Sequence, residues 1–298
     1  MNYVKKKSLT PIIMLITGAL FLGLGPVMVR FAAEASAEVI AFYRMLFAIP
    51  LLWLLSLGSS DSGTIREKLM AFSAGIFLAA DLACWHTAIA STKVANATLL
   101  IGLSPFWVAF MSALYPGLRL STRFFVALIL CFTGMTLLTS MSGFTPKLGT
   151  GEYLSIIASL FYAVFTYLFA MVCKKMAPVH ALKWSSVGSA TFMFLVALIR
   201  DQPLLGFSPK AWLSLLGLGV IIQTLAWLLI SKGLKHIHAT VGSLGLLGQQ
   251  IATVFFGWIL LGESLGSIQL FGCGVMMLGM VLGGKWAPRP EEILKELE

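Results

Sequence analysis

Residues Asp81–Trp107 read DLACWHTAIASTKVANATLLIGLSPFW, and the reading of this stretch decides the fold. It sets an acid, a tryptophan, a histidine, an asparagine and a proline into otherwise apolar sequence. Polar groups in such a setting need partners or a task, because a buried charge or an unpaired polar group is costly away from water.

The surroundings extend the pattern over the whole chain. Of 298 residues, 58% are hydrophobic and 11% are charged, where a soluble domain has about 25% charged residues. The apolar runs are continuous and about 20 residues long, which fits membrane-spanning helices and not the alternating strands of a barrel. They fall at about 9–31, 38–57, 69–91, 95–115, 121–141, 152–172, 181–199, 211–231, 239–261 and 267–284. The expected fold is an all-α membrane protein of ten transmembrane helices. The basic start MNYVKKKSLT and the small-residue stretch AEASA (33–37) resemble a signal peptide, but the run between them has the length of a span and is kept as the first helix.

Ten spans put both termini on one side. The connections on that side carry fourteen Lys and Arg residues, among them Lys5, Lys6, Lys7, Lys174, Lys175, Lys232 and Lys235, against four (Lys93, Lys147, Arg200, Lys210) on the other. The positive-inside rule then makes both termini cytoplasmic. The same topology accounts for the net charge of +9, so no nucleic-acid partner is expected. Cys84, Cys131, Cys173 and Cys273 are scattered singly through the apolar runs, which gives neither a metal site nor a disulfide framework. No cofactor is expected.

The chain also resembles itself. A shift of 142 lays Trp85 on Trp227, Lys93 on Lys235 and Ala97-Thr98 on Ala239-Thr240; a shift of 140 lays Leu20-Phe21 on Leu160-Phe161 and Val39 on Val179. Two five-helix units result, 1–145 and 146–287, followed by a polar cytoplasmic tail at 288–298. Because five is odd, the second unit enters the membrane in the opposite orientation, and such inverted repeats support alternating access.

Several residues could line a path between the units. Asp81 falls midway along its span, the sole carboxylate at that depth, and is a candidate for proton coupling or for a substrate amine; a structural pair with Arg44 is the alternative. Arg44 could equally take a substrate carboxylate. Trp85 follows Asp81 by one turn, and the repeat gives Gln223 and Trp227 as the mates of Asp81 and Trp85, so aromatic walls from both units are expected. Gln249 and Gln250 are adjacent and cannot face one way, so one should meet the cavity; Tyr162 is a further candidate. Pro105 removes a helix hydrogen bond and favours a bend suited to gating. His86 fits a polar contact between helices, Asn96 a helix cap, and Gly242, Gly245 and Gly248 close helix packing. No HExxH or phosphate-loop motif is present, so no enzyme is expected. A membrane enzyme using Asp81 and His86 is the weaker reading, and a passive facilitator or lipid translocator is a third.

The runs GPVMVRF, AFYRMLFAIPLLW, DLACWHTAIASTKVANATLL, IGLSPFWVAF and LLGESLGSIQLFGCGVMMLGMVL resemble the EamA family of the drug/metabolite transporter superfamily, over about residues 10 to 285. The resemblance implies a ten-helix carrier of the bacterial inner (cell) membrane with a central cavity lined by both units, usually exporting amino acids or related metabolites. Its partners would be a small-molecule substrate and the lipid bilayer, with a homodimer compatible. It also implies that Glu263 is the family's acid after the ninth helix, in a structural role, whereas Arg119 stands where the first unit often carries its own acid.

Overall fold

The structure, a computed structural model, describes residues 9–59, 63–92, 94–114, 121–140, 149–262 and 264–286. The tail from 287, Glu263, Arg119, Lys93 and Lys147 lie outside the described residues, as do the side chains of His86 and Asn96.

Among the described residues ten helical spans follow one another, nine of membrane-crossing length and α4 shorter: α1 (Thr10–Phe31), α2 (Ala37–Ser56), α3 (Ile65–Ser91), α4 (Val94–Ile101 continuing as Ser104–Ala113), α5 (Thr122–Ser140), α6 (Thr150–Lys175), α7 (Pro178–Ile199), α8 (Pro209–Leu234), α9 (Ala239–Leu261) and α10 (Ser267–Trp286). Local chemistry sets several of the starts. Thr64 and Glu67 form a reciprocal capping box before α3, with the Thr64 amide donating to Glu67 at 2.7 Å. Ser208 caps α8 ahead of Pro209, and Pro178 opens α7, where a missing amide hydrogen removes no helix bond. The outer surface carries Phe110, Ile129, Leu213 and Phe271, each more than half exposed, which is the surface lipid requires.

The most extensive contacts cross from one five-helix unit to the other, and they obey the inverted symmetry. Helix α2 meets α7, α5 meets α10 and α4 meets α9, each pair being its own mate. The pairing of α3 with α6 is repeated by α8 with α1, and that of α3 with α7 by α8 with α2. The chain is thus two inverted five-helix repeats that bury their faces against each other. The tightest crossing is α3 on α7: a Cβ on Gly75 would lie 1.9 Å from the Ser185 carbonyl oxygen, and one on Gly188 would lie 2.2 Å from that of Phe72. Backbones touch there directly.

Three helices are interrupted among the described residues: α1 turns at Gly23-Leu24, and α4 and α9 break near mid-length. Gly102 and Leu103 break α4, and Ser104-Pro105 start its second half, so Pro105 sits in a new first turn rather than kinking a continuous helix. Its structural counterpart α9 turns at Leu247, between Ala239–Leu246 and Gly248–Leu261. The halves nearest the face where α1 begins, here the N face, touch each other: Ser104–Ala113 packs on Ala239–Leu246. Among the described residues the halves toward the far face make no comparable contact.

The glycine crossing gives a direct test. Gly75→Val should cost about 3 kcal/mol or more through overpacking, while Gly274→Val, with open space around its Cβ, should leave thermal stability in detergent unchanged. Equal losses for both would contradict the packing described.

Candidate functional site

Hydrophobic helices from both repeats enclose one polar group at mid-depth. Arg44 on α2 donates from Nε to Oε1 of Gln223 on α8 at 3.1 Å, and Gln223 Nε2 donates to Ser186 Oγ on α7 at 3.3 Å. Gln223 is fully buried. It lies in a nine-residue π-helical segment of α8, Leu218–Ala226, where Thr224 returns its hydroxyl to the Gly219 carbonyl at 2.9 Å. Such segments are rare and are concentrated at functional sites, because the widened turn re-aims side chains. The mate segment of α3 stays α-helical.

Asp81 on α3 and Tyr162 on α6 stand within electrostatic reach of Arg44 and of each other. Asp81 is 3% exposed, and its Oδ1 has no hydrogen-bond partner among the described residues. Arg44 therefore directs a donor to a neutral amide from the other repeat while a carboxylate oxygen nearby is left unsatisfied. A buried polar oxygen without a partner is a high-energy feature that persists where a ligand or proton completes it. Of the eight lining candidates named from the sequence, Arg44, Asp81, Tyr162 and Gln223 lie together in this group. Sequence reasoning did not anticipate Ser186, whose only signal was an excess of serines (Ser185, Ser186, Ser189) inside an apolar span.

The other candidates are placed differently. Trp85 is half-buried on α3, one turn from Asp81. Its repeat mate Trp227 is 2% exposed, with the rings of Phe165 and Phe169 at 5.1 and 5.8 Å, and its Nε1 finds no acceptor. Trp227 thus stands in the core, whereas Trp85 is only half-buried. Gln249 and Gln250 are both half-buried, at the start of the far-face half of α9, and neither side chain has a hydrogen-bond partner among the described residues. Gly242 and Gly245 pack tightly, since added Cβ atoms would lie 2.3 Å from Leu234 and 2.4 Å from Leu15. Among the described residues no three His, Cys, Asp or Glu side chains gather as a metal site would need.

Polar ties also join the repeats at the two faces, and none had a motif in the sequence. At the far face Arg200 pairs with Glu38, Tyr43 donates to the Leu204 carbonyl at 2.8 Å, and Ser208 donates through both its amide and its hydroxyl to Glu34, holding that carboxyl below its usual range. At the N face Thr240 on α9 donates to Ser112 on α4 at 3.1 Å, with His238 Nδ1 2.9 Å from Thr240. Both hydroxyl residues are buried, so this contact is the polar centre of the α4–α9 junction. Burial, with Lys174 nearby, pushes the His238 imidazole down to about 4.

The sequence profile of the EamA-like transporter family matches residues 9–140 and again 149–283. The chain belongs to the EamA-like transporter family. Relatives agree along most of its length: an uncharacterized transporter of Archaeoglobus fulgidus is 27% identical over 271 residues, 90% of this chain and 94% of that one. The pseudopaline exporter CntI of Pseudomonas aeruginosa is 23% identical over 262 residues, covering 85% and 88%. A solved crystal structure superposes with a TM-score of 0.79 over 97% of this chain and 98% of its own, at 16% identity, which shows the shared fold. The EamA-like chain is therefore a multi-pass membrane transporter with two family repeats.

Two measurements follow from the site. Gln223→Leu removes the acceptor of a buried cation and should cost about 2 kcal/mol, whereas Asp81→Asn keeps shape and loses no hydrogen bond at Oδ1, so its melting temperature should match the parent. A stable Gln223→Leu would contradict the Arg44 contact. His238, whose folded value near 4 lies below its unfolded 6.5, takes up a proton more readily in the unfolded state. Its contribution is intact above about pH 6.5 and falls as pH drops toward 4, by about 2 kcal/mol at pH 5. Thermal melts of His238→Asn should show a shallower loss between pH 7 and 5; an unchanged slope would contradict this assignment.

Proposed function

We propose that this EamA-like chain is a secondary transporter of the cell membrane that exports a small amphipathic metabolite by alternating access, with Asp81 as the proton-coupling group. The observation that carries the proposal is Asp81 itself: buried at mid-depth, with Oδ1 unpartnered, beside an Arg44 that Gln223 of the opposite repeat restrains. An acid that can gain a proton or a substrate cation there, but never both at once, exchanges one for the other.

The excess of Lys and Arg on the N face supports a cytoplasmic placement of that face and of both termini. On that reading, contact between the N-face halves of α4 and α9 closes the path to the cytoplasm. The separation of their far-face halves corresponds to an outward-facing state. Exchange of the two half-helix contacts, with the breaks at Gly102 and Leu247 as hinges, would open the other side. Half-buried Trp85, Gln249 and Gln250 supply an aromatic face and unpaired amides for a ligand with apolar and polar parts. The exporter among the relatives supports the outward direction and a metabolite cargo. A small-molecule substrate and the lipid bilayer are the partners this function requires.

Proteoliposomes loaded with a metabolite extract, placed under an imposed pH gradient and assayed by mass spectrometry of the released material, test the proposal. Unmodified compounds should appear outside in a gradient-dependent manner, and Asp81→Asn should abolish that dependence. Flux indifferent to the gradient in the parent would favour a passive facilitator, and unchanged pH dependence in Asp81→Asn would remove Asp81 from coupling.

A further inference from the structure

A cavity of about 470 Å³ opens on the N face, away from the Asp81 group, where the start of α1, the start of α7 and the end of α8 converge. Thr10, Pro11, Met14 and Pro178 line it from the two helix starts, and Lys232, Lys235 and His236 line it from the end of α8 and the turn after it; among the described residues no lining side chain is acidic. The two helix starts turn the positive ends of their dipoles toward the cavity, and Lys232 and Lys235 add two cations that offset the negative dipole end of α8.

The internal repeat supplies a control within the same molecule. A shift of 140 lays Thr10, Pro11 and Ile12 on Thr150, Gly151 and Glu152, and a shift of 142 lays Leu234 and Lys235 on Thr92 and Lys93. The corresponding junction at the far face is therefore the end of α3 against the start of α6. The helix ends meet in the same way: a Cβ on Gly151 would lie 2.7 Å from the Thr92 Cβ, and one on Gly233 would lie 2.7 Å from the Pro11 carbonyl oxygen. At the far face the junction is filled by the chain's own anion. Glu152, 7% exposed, accepts from the Thr92 hydroxyl and from the Gly149 amide at 2.9 Å. At the N face Ile12 stands in place of Glu152, is 44% exposed, and brings no charge. One copy of the junction thus holds a carboxylate, and the other holds cations around an open volume.

We propose that the N-face cavity is a binding site for a phosphate-type anion, which takes the place that Glu152 fills in the mate. Two sources share this chemistry, the headgroup of an anionic phospholipid in the adjoining leaflet and a soluble phosphate. The bound anion would tie α1 of one repeat to α7 and α8 of the other, as Glu152 ties α6 to the end of α3. Lys232 is exposed and Lys235 half-buried, which leaves both ammonium groups able to reach the ligand.

The full chain in phosphatidylcholine nanodiscs, with and without phosphatidylglycerol, and in neutral detergent with inorganic phosphate or chloride at equal ionic strength, distinguishes the sources by melting temperature. A rise with phosphatidylglycerol alone assigns the site to lipid, and a rise with phosphate in detergent assigns it to a soluble anion. The double variant K232Q/K235Q should raise the half-saturating amount about tenfold, while Lys68→Gln, a basic residue of the N face outside the cavity, should leave it unchanged. Ile12→Glu supplies the carboxylate that the mate possesses and should raise the melting temperature without added anion while abolishing the response to it. The proposal is overturned if neither probe stabilises the parent, if Lys68→Gln weakens the response as much as the double variant, or if Ile12→Glu retains the full response.

Discussion

The hydrogen bond from Arg44 to Gln223 is the contact on which the interior depends. A guanidinium inside an apolar bundle must be satisfied, and here the acceptor comes from the opposite repeat. That requirement holds α2 against α8 and fixes the π-helical widening that aims Gln223 inward. It also leaves Asp81 close to a cation that is already engaged, and so available to a proton or a ligand. The inverted repeat therefore does more than duplicate a bundle: it places a donor from one unit on an acceptor from the other at mid-depth.

The packing around this contact separates what is rigid from what can move. Where α3 crosses α7, Gly75 and Gly188 bring the backbones together and admit no side chain, so that crossing is fixed. The α4–α9 junction is of another kind. Both helices are broken at mid-length, they touch through one half only, and the polar centre of that contact is the hydroxyl pair Ser112 and Thr240. A single neutral hydrogen bond contributes about 1 kcal/mol, an amount that a ligand can offset. The glycine crossings are the rigid contacts, and on the proposed mechanism the broken helices α4 and α9 are the ones that move.

Much of this was legible in the sequence. Ten spans follow from apolar run length, because each run must satisfy its own backbone in lipid, and the weak matches at shifts of 140 and 142 pointed to the inverted repeat. The grouping of Asp81, Arg44, Tyr162 and Gln223 was also accessible, since polar residues at equal depth in an apolar bundle have few alternatives to one another. Contacts made by common residues were not. Glu38–Arg200, Glu34–Ser208 and Ser112–Thr240 join residues at ordinary interfacial positions, and nothing in their local sequence names the partner. Trp227 shows the limit of repeat logic. Its match with Trp85 is real in sequence, yet Phe165 and Phe169 enclose it while Trp85 remains half-buried.

Alternation of the α4–α9 contact is the central claim, and a reversible cross-link tests it most directly. In a background with Cys84, Cys131, Cys173 and Cys273 replaced, the pair Ser112→Cys and Thr240→Cys puts two thiols where two hydroxyls now lie 3.1 Å apart. Oxidation should join α4 to α9 at the N face and arrest flux in proteoliposomes, and reduction should restore it. Full transport by the cross-linked protein would contradict the account.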